Sequence, residues 1–83
     1  MRREENWAID TDRIRAFFRA QADVREDGGR FIFGGCIITL IPLSGNAMGK
    51  WVLPRTQIVF EGNDMDVKSI HHRFFLRFLS AGG

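Results

Sequence analysis

The segment from Phe31 to Leu43 limits what this chain can fold into more than any other feature. It reads FIFGGCIITLIPL and is apolar at odd and even positions alike. A strand with one face in solvent alternates apolar and polar residues, so this segment predicts a strand that is covered on both faces. A chain of 83 residues has little other material to cover the second face. We therefore expect a second copy, another partner or a ligand to cover it.

Length and composition predict one small α+β domain that spans residues 1–83. The chain is 45% hydrophobic and 27% charged, which is typical of a globular protein rather than a disordered one. Its apolar runs are shorter than the roughly 20 residues that cross a membrane, so no membrane partner is predicted. Met1 to Asn6 is not followed by the apolar core of a secretory signal. Cys36 is the single cysteine, which is typical of a reducing compartment and predicts a cytoplasmic protein.

Two helices are predicted, one near each end of the chain. Asp10, Thr11 and Asp12 are all good N-caps, and the apolar spacing after them predicts a first helix over residues 11–21. Gly62, Asn63 and Asp64 precede a second helix, which is predicted from about Met65 to Leu79. Residues 1–8 are expected to be a loosely ordered N-terminal segment, and residues 80–83 a tail.

Three antiparallel strands are predicted between the helices. Asp27-Gly28-Gly29 is a strong turn signal, so 23–26 is interpreted as a short strand and 30–43 as a long one. The alternative is a first helix that reaches Arg25, with Gly28 as its C-cap. Gly34-Gly35 predicts a bulge or sharp bend inside the long strand. The third strand is predicted over 51–61, and Pro54 marks it as an edge strand.

The expected architecture is therefore a three-stranded antiparallel sheet with two helices packed on one face, in the order α-β-β-β-α. If Leu43 pairs with Trp51, even-numbered residues of the last two strands share one face and odd-numbered residues share the other. The even-numbered face is the more apolar and should lie under the helices; it comprises Cys36, Ile38, Leu40, Val52, Thr56, Ile58 and Phe60. The odd-numbered face comprises Ile37, Thr39, Ile41, Leu43, Trp51, Leu53, Arg55, Gln57 and Val59.

The odd-numbered face predicts a binding surface, because it combines apolar area with a few polar groups. We expect the chain to act as a homodimer and as a non-enzymatic interaction or ligand-binding module whose specific role the residues do not name. The predicted dimer interface comprises Ile37, Ile41, Leu53, Val59, Leu76 and Leu79. A small polar or anionic ligand would bind at Thr39, Trp51, Arg55 and Gln57, with the Arg55 guanidinium as the anion-binding group.

No pattern of residues predicts a catalytic site, a cofactor or a metal. Adjacent helix residues point about 100° apart, so His71 and His72 do not chelate one metal together. His71 is interpreted as a hydrogen-bonded core residue and His72 as solvated. Cys36 is expected on the buried face, where a thiol has a raised pKa and no nearby base.

Nucleic-acid binding is the alternative function. The chain has twelve Lys and Arg against ten Asp and Glu, so its net charge is only +2. Arginines are nevertheless grouped on both predicted helices, at spacings that suit phosphate contacts. The candidate contacts are Arg15, Arg19, Arg73 and Arg77. The opposing interpretation is that these arginines form local ion pairs on solvated helix faces.

Overall fold

The computed structural model describes residues 1–43, 47–48, 51–52 and 54–79. The helices are α1 (Thr11–Arg19) and α2 (Asp64–Phe78). The strands are β1 (Arg2–Trp7), β2 (Arg25–Asp27), β3 (Arg30–Phe33), β4 (Cys36–Leu43), β5 (Ala47–Met48), β6 (Trp51–Val52) and β7 (Arg55–Gly62). Five strands form one antiparallel sheet in the order β1-β7-β4-β3-β2, and β5 pairs with β6 in a separate hairpin. The predicted class, α+β with two helices and an antiparallel sheet, is confirmed, but the prediction of three strands was wrong.

The N-terminal segment is a strand, so the expectation of loose order over residues 1–8 was wrong. β1 pairs along its whole length with β7, from Arg2 opposite Glu61 to Trp7 opposite Thr56. Only Trp7 in this strand is buried, and the other residues are charged or polar. Its hydrophobic pattern is therefore weak, and the strand is held chiefly by its ladder with β7.

Gly34 and Gly35 form a turn between β3 and β4, not a bulge inside one strand. Phe33 pairs with Cys36 across them, and Gly34 has a φ angle of +55°. That angle lies in the left-handed region that only glycine adopts without strain. The predicted turn at Asp27-Gly28-Gly29 is confirmed, because β2 and β3 form a hairpin there. The alternative of a helix reaching Arg25 was wrong, since α1 ends at Arg19.

The predicted third strand is divided, and its position in the sheet differs from the prediction. Pro54 lies in neither β6 nor β7 and therefore removes no hydrogen bond from the sheet. β7 lies between β1 and β4, so the prediction that it is an edge strand was wrong. Leu43 pairs with Arg55 rather than with Trp51. That shift is an even number of residues, so the predicted faces hold for the residues of β4 and β7. The side chains of Trp51, Val52 and Leu53, which were also assigned to these faces, lie outside the described part of the chain.

Both helices pack on the inner face of the sheet, where the core lies. The core unites Cys36, Ile38, Leu40, Ile58 and Phe60 of β4 and β7 with apolar residues of both helices, as the sequence predicted for these positions. Its fully buried members include Ile14, Phe18, Ile38, Ile58, Phe60, Ile70, Phe74 and Phe78. The opposite side of the sheet, here called the outer face, is covered by neither α1 nor α2. On β4 and β7 it consists of Ile37, Thr39, Ile41, Leu43, Arg55, Gln57, Val59 and Glu61.

Candidate functional site

The outer face is a stripe of aliphatic side chains with charged groups at its ends. Ile37 and Ile41 keep 38% and 39% of their surface exposed, although both lie on an interior strand of the sheet. Val59, which lies between Glu4 of β1 and Thr39 of β4, is only 6% exposed. Exposed aliphatic side chains on one face of an interior strand favour association with another apolar surface.

The predicted interface residues do not all belong to this surface. The structure places Ile37, Ile41 and Val59 together on the outer face. Leu76 and Leu79 are 59% and 56% exposed on the helical layer, on the other side of the sheet. One contact through the outer face therefore does not include them, and their part in a dimer interface stays a prediction. Leu53 lies outside the described residues.

The predicted ligand-binding residues lie along the outer face rather than around a cavity. Thr39 and Gln57 are half-buried, and Arg55 is exposed at the end of the stripe beside Leu43. Within the described ranges, no carboxylate pairs with Arg55. Trp51 lies in β6, and its side chain is outside the description. Ligand binding by this group therefore stays a prediction.

A groove between the two helices is a feature that the sequence reasoning missed. It has a volume of about 390 Å³ and is lined by Arg13, Ala16, Phe17, Ala20, Gln21, Arg77 and Phe78. Ala16 and Ala20 have small side chains, and the half-buried Phe17 adds an aromatic surface, whereas Phe78 itself is only 1% exposed. The guanidinium carbons of Arg13 and Arg77 lie 6.0 and 5.2 Å from the centroid of the same Phe78 ring. The arrangement is chemically complementary to a flat organic anion.

Three of the four arginines predicted to contact nucleic acid form ion pairs within the chain. Arg15 binds Asp12 at 2.6 Å, and Arg19 donates two hydrogen bonds to Glu26 at 2.8 and 2.9 Å. Arg73 donates to both oxygens of Asp23, at 2.7 and 3.1 Å. The Arg73 hydrogen bonds hold the pKa of Asp23 below its ordinary value. These pairs neutralise the positive charge at three of the four predicted contacts, and Arg77 is the fourth.

Glu5 is the centre of a polar cluster at the rim of the core. Its carboxylate accepts hydrogen bonds from Arg3 and Trp7, both at 2.9 Å. It also contacts Nε2 of His71 at 3.0 Å. Burial alone would raise the pKa of Glu5, but the hydrogen bonds from Trp7, Arg3 and His71 outweigh burial and lower it. His71 is hydrogen-bonded as predicted, but it lies at the rim of the core rather than within it, and His72 is exposed.

Cys36 was the other residue considered for a catalytic role. Cys36 is buried in the core, and burial raises the pKa of its thiol, as predicted. In the part of the chain that the structure describes, no three His, Cys, Asp or Glu side chains are grouped closely enough to hold a metal ion. No helix in those ranges is long and apolar enough to cross a membrane.

Comparison with known proteins finds no family model and no curated protein that matches this chain.

Proposed function

We propose that this protein is a non-enzymatic binding module that acts as a homodimer through its outer face. The observation that carries the proposal is the aliphatic stripe on the outer face. Helices α1 and α2 cover the inner face of the same sheet and leave this stripe uncovered. Ile37 and Ile41 lie at the middle of the sheet, where a second layer would bury them. Burial of apolar area at about 25 cal/mol per Å² is the main favourable term in such an association.

Sedimentation equilibrium tests this proposal directly. We expect the wild-type chain to be a dimer at micromolar concentration. Ile41→Asp should weaken dimerisation at least about 100-fold, because the dimer would bury a carboxylate without a partner. Met65→Asp is the matched control: Met65 is 79% exposed on α2, so this variant should remain a dimer. Circular dichroism of both variants should show the wild-type fold.

Two results would contradict the proposal. The first is a wild-type chain that stays monomeric at high concentration. The second is tight binding of a mixed-sequence oligonucleotide with a steep dependence on salt, which would support the nucleic-acid alternative instead.

A small-ligand function is favoured by the groove between α1 and α2. Arg13 and Arg77 share one aromatic ring, and within the described residues no carboxylate pairs with either. Both arginines line the groove, so an anion bound there would meet positive charge from two side chains. The second candidate function is therefore binding of an organic anion with a flat apolar body in this groove.

Titration with 1-naphthoate, followed by calorimetry, tests the groove. Arg77→Gln should weaken binding at least about tenfold, since a charge-assisted contact is worth roughly 1.5–3 kcal/mol. Arg30→Gln is the control with the same loss of charge on β3, away from the groove, and should bind as the wild type does. The neutral analogue 1-naphthylmethanol should bind more weakly than 1-naphthoate. Equal affinities for the two probes would overturn this candidate.

A further inference from the structure

The two central strands of the outer face carry side chains in a nearly symmetric order. Four directly opposed pairs follow one another along β4 and β7. They are Ile37 with Glu61, Thr39 with Val59, Ile41 with Gln57, and Leu43 with Arg55. The first and last pairs are alike in having an aliphatic residue on β4 and a charged residue on β7. Glu61 at one end of β7 is negative, and Arg55 at the other end is positive.

We infer that the outer face binds a second copy of this chain through a two-fold axis that runs across the strands. The inference rests on the proposed function and adds the orientation of the partner. The axis passes between the second and third pairs. It places the first pair of one chain opposite the partner's fourth pair, and it places β7 opposite the partner's β7. Glu61 then faces the partner's Arg55, and Ile37 faces the partner's Leu43. Each contact occurs twice, as an isologous interface requires.

The charged groups are available for these contacts. Arg55 is exposed and, within the described ranges, has no acidic partner of its own. Glu61 accepts a hydrogen bond from Arg2 at 2.8 Å through Oε2. Among the described residues no donor contacts its Oε1, which can accept from the partner's Arg55. Packed sheets lie about 10 Å apart, which the long side chains of arginine and glutamate span.

Charge argues against a two-fold axis that runs parallel to the strands through the middle strand, β4. Arg2, Glu61, Ile37, Ile32 and Arg25 lie in one row across the sheet, from β1 to β2. A parallel axis would lay β1 over the partner's β2 and bring Arg2 against the partner's Arg25. It would also move Arg55 away from the partner's Glu61. Like charges placed opposite each other disfavour an interface, so the axis across the strands is preferred.

A charge exchange between chains tests this arrangement. Arg55→Glu and Glu61→Arg should each weaken the homodimer at least tenfold, because each creates two like-charge contacts. A mixture of the two variants should recover wild-type affinity as a heterodimer, since both contacts are then between opposite charges. Glu4→Arg is the matched control. Glu4 also binds Arg2, at 2.8 Å, but it lies on β1 beside Val59 and would not face the partner's Arg55.

The outcomes separate this inference from the proposed function. A wild-type dimer that Arg55→Glu does not weaken, or two weakened variants that do not recover on mixing, would overturn the two-fold axis and leave the dimer proposal standing. A monomeric wild-type chain would overturn the dimer proposal itself. Recovery on mixing, with Glu4→Arg unchanged, supports the axis across the strands.

Discussion

Thr56 is a fully buried polar residue in an otherwise apolar core. Its hydroxyl donates a hydrogen bond to the carbonyl oxygen of Ile9 at 2.8 Å and lies 2.6 Å from the hydroxyl of Thr11. These contacts join β7 to the segment between β1 and α1. Thr56 therefore fixes where the first helix begins relative to the sheet, which a buried aliphatic residue could not do.

Replacing Thr56 with valine should lower the free energy of unfolding by about 1–3 kcal/mol. Valine has nearly the same shape, but it leaves the Ile9 carbonyl and the Thr11 hydroxyl without their partner in the core. Urea unfolding followed by circular dichroism measures the change. Thr39→Val makes the same substitution on the outer face, where Thr39 is half-buried, and should change the free energy by less than about 0.5 kcal/mol. Equal losses in the two variants would contradict this role for Thr56.

At the scale of elements, the turn between β3 and β4 is attached to the start of α2. The backbone N–H of Gly35 donates to Oδ2 of Asp66 at 2.7 Å. Asn63, the N-cap of α2, accepts from the backbone N–H of Asp66 and donates to its carboxylate. The Gly35 amide, followed by Asn63, lowers the pKa of Asp66. A single carboxylate thus links a hairpin and a helix that are far apart in the sequence.

Gly34→Ala should destabilise the fold more than Gly28→Ala. The two glycines have similar φ angles, +55° and +60°, so alanine at either site carries the same backbone strain of roughly 1–2 kcal/mol. A Cβ atom at Gly28 would lie in open space, whereas one at Gly34 would lie 2.7 Å from Oδ2 of Asp66. Thermal unfolding of both variants measures the difference. In an Asp66→Ala background that difference should shrink, and an unchanged difference would show that Asp66 is not its cause.

At the scale of the whole molecule, the two layers explain why one face of the sheet is left open. The helices α1 and α2 are both used to cover the inner face, and the described residues provide no third helix for the outer one. The N-terminal strand β1 adds one strand at the edge of the sheet. It makes the outer face wider and does not cover it. The dimer and charge-exchange experiments belong to this scale, because they measure whether a second copy of the chain covers the outer face.

Several features of the fold and of the candidate site could be predicted from local patterns. The apolar spacing of α1 and α2 and the turn at Asp27-Gly28-Gly29 are properties of neighbouring residues. The separation of β4 and β7 into a buried and a partly exposed face follows from the period of two residues along a strand. The apolar part of the outer face was therefore visible in the sequence, including Ile37, Ile41 and Val59.

The other features depend on contacts between distant parts of the chain, which no local pattern contains. The charged residues of β1 form a strand because their backbone groups pair with those along one edge of β7. Gly34-Gly35 becomes a turn where α2 places Asp66 against it, and Arg73 is neutralised by Asp23. The groove at Arg13 and Arg77 exists because two helices meet with small residues between them. Local periodicity thus determined the elements and their faces, whereas tertiary structure decided strand order, register and which charges are left without a partner.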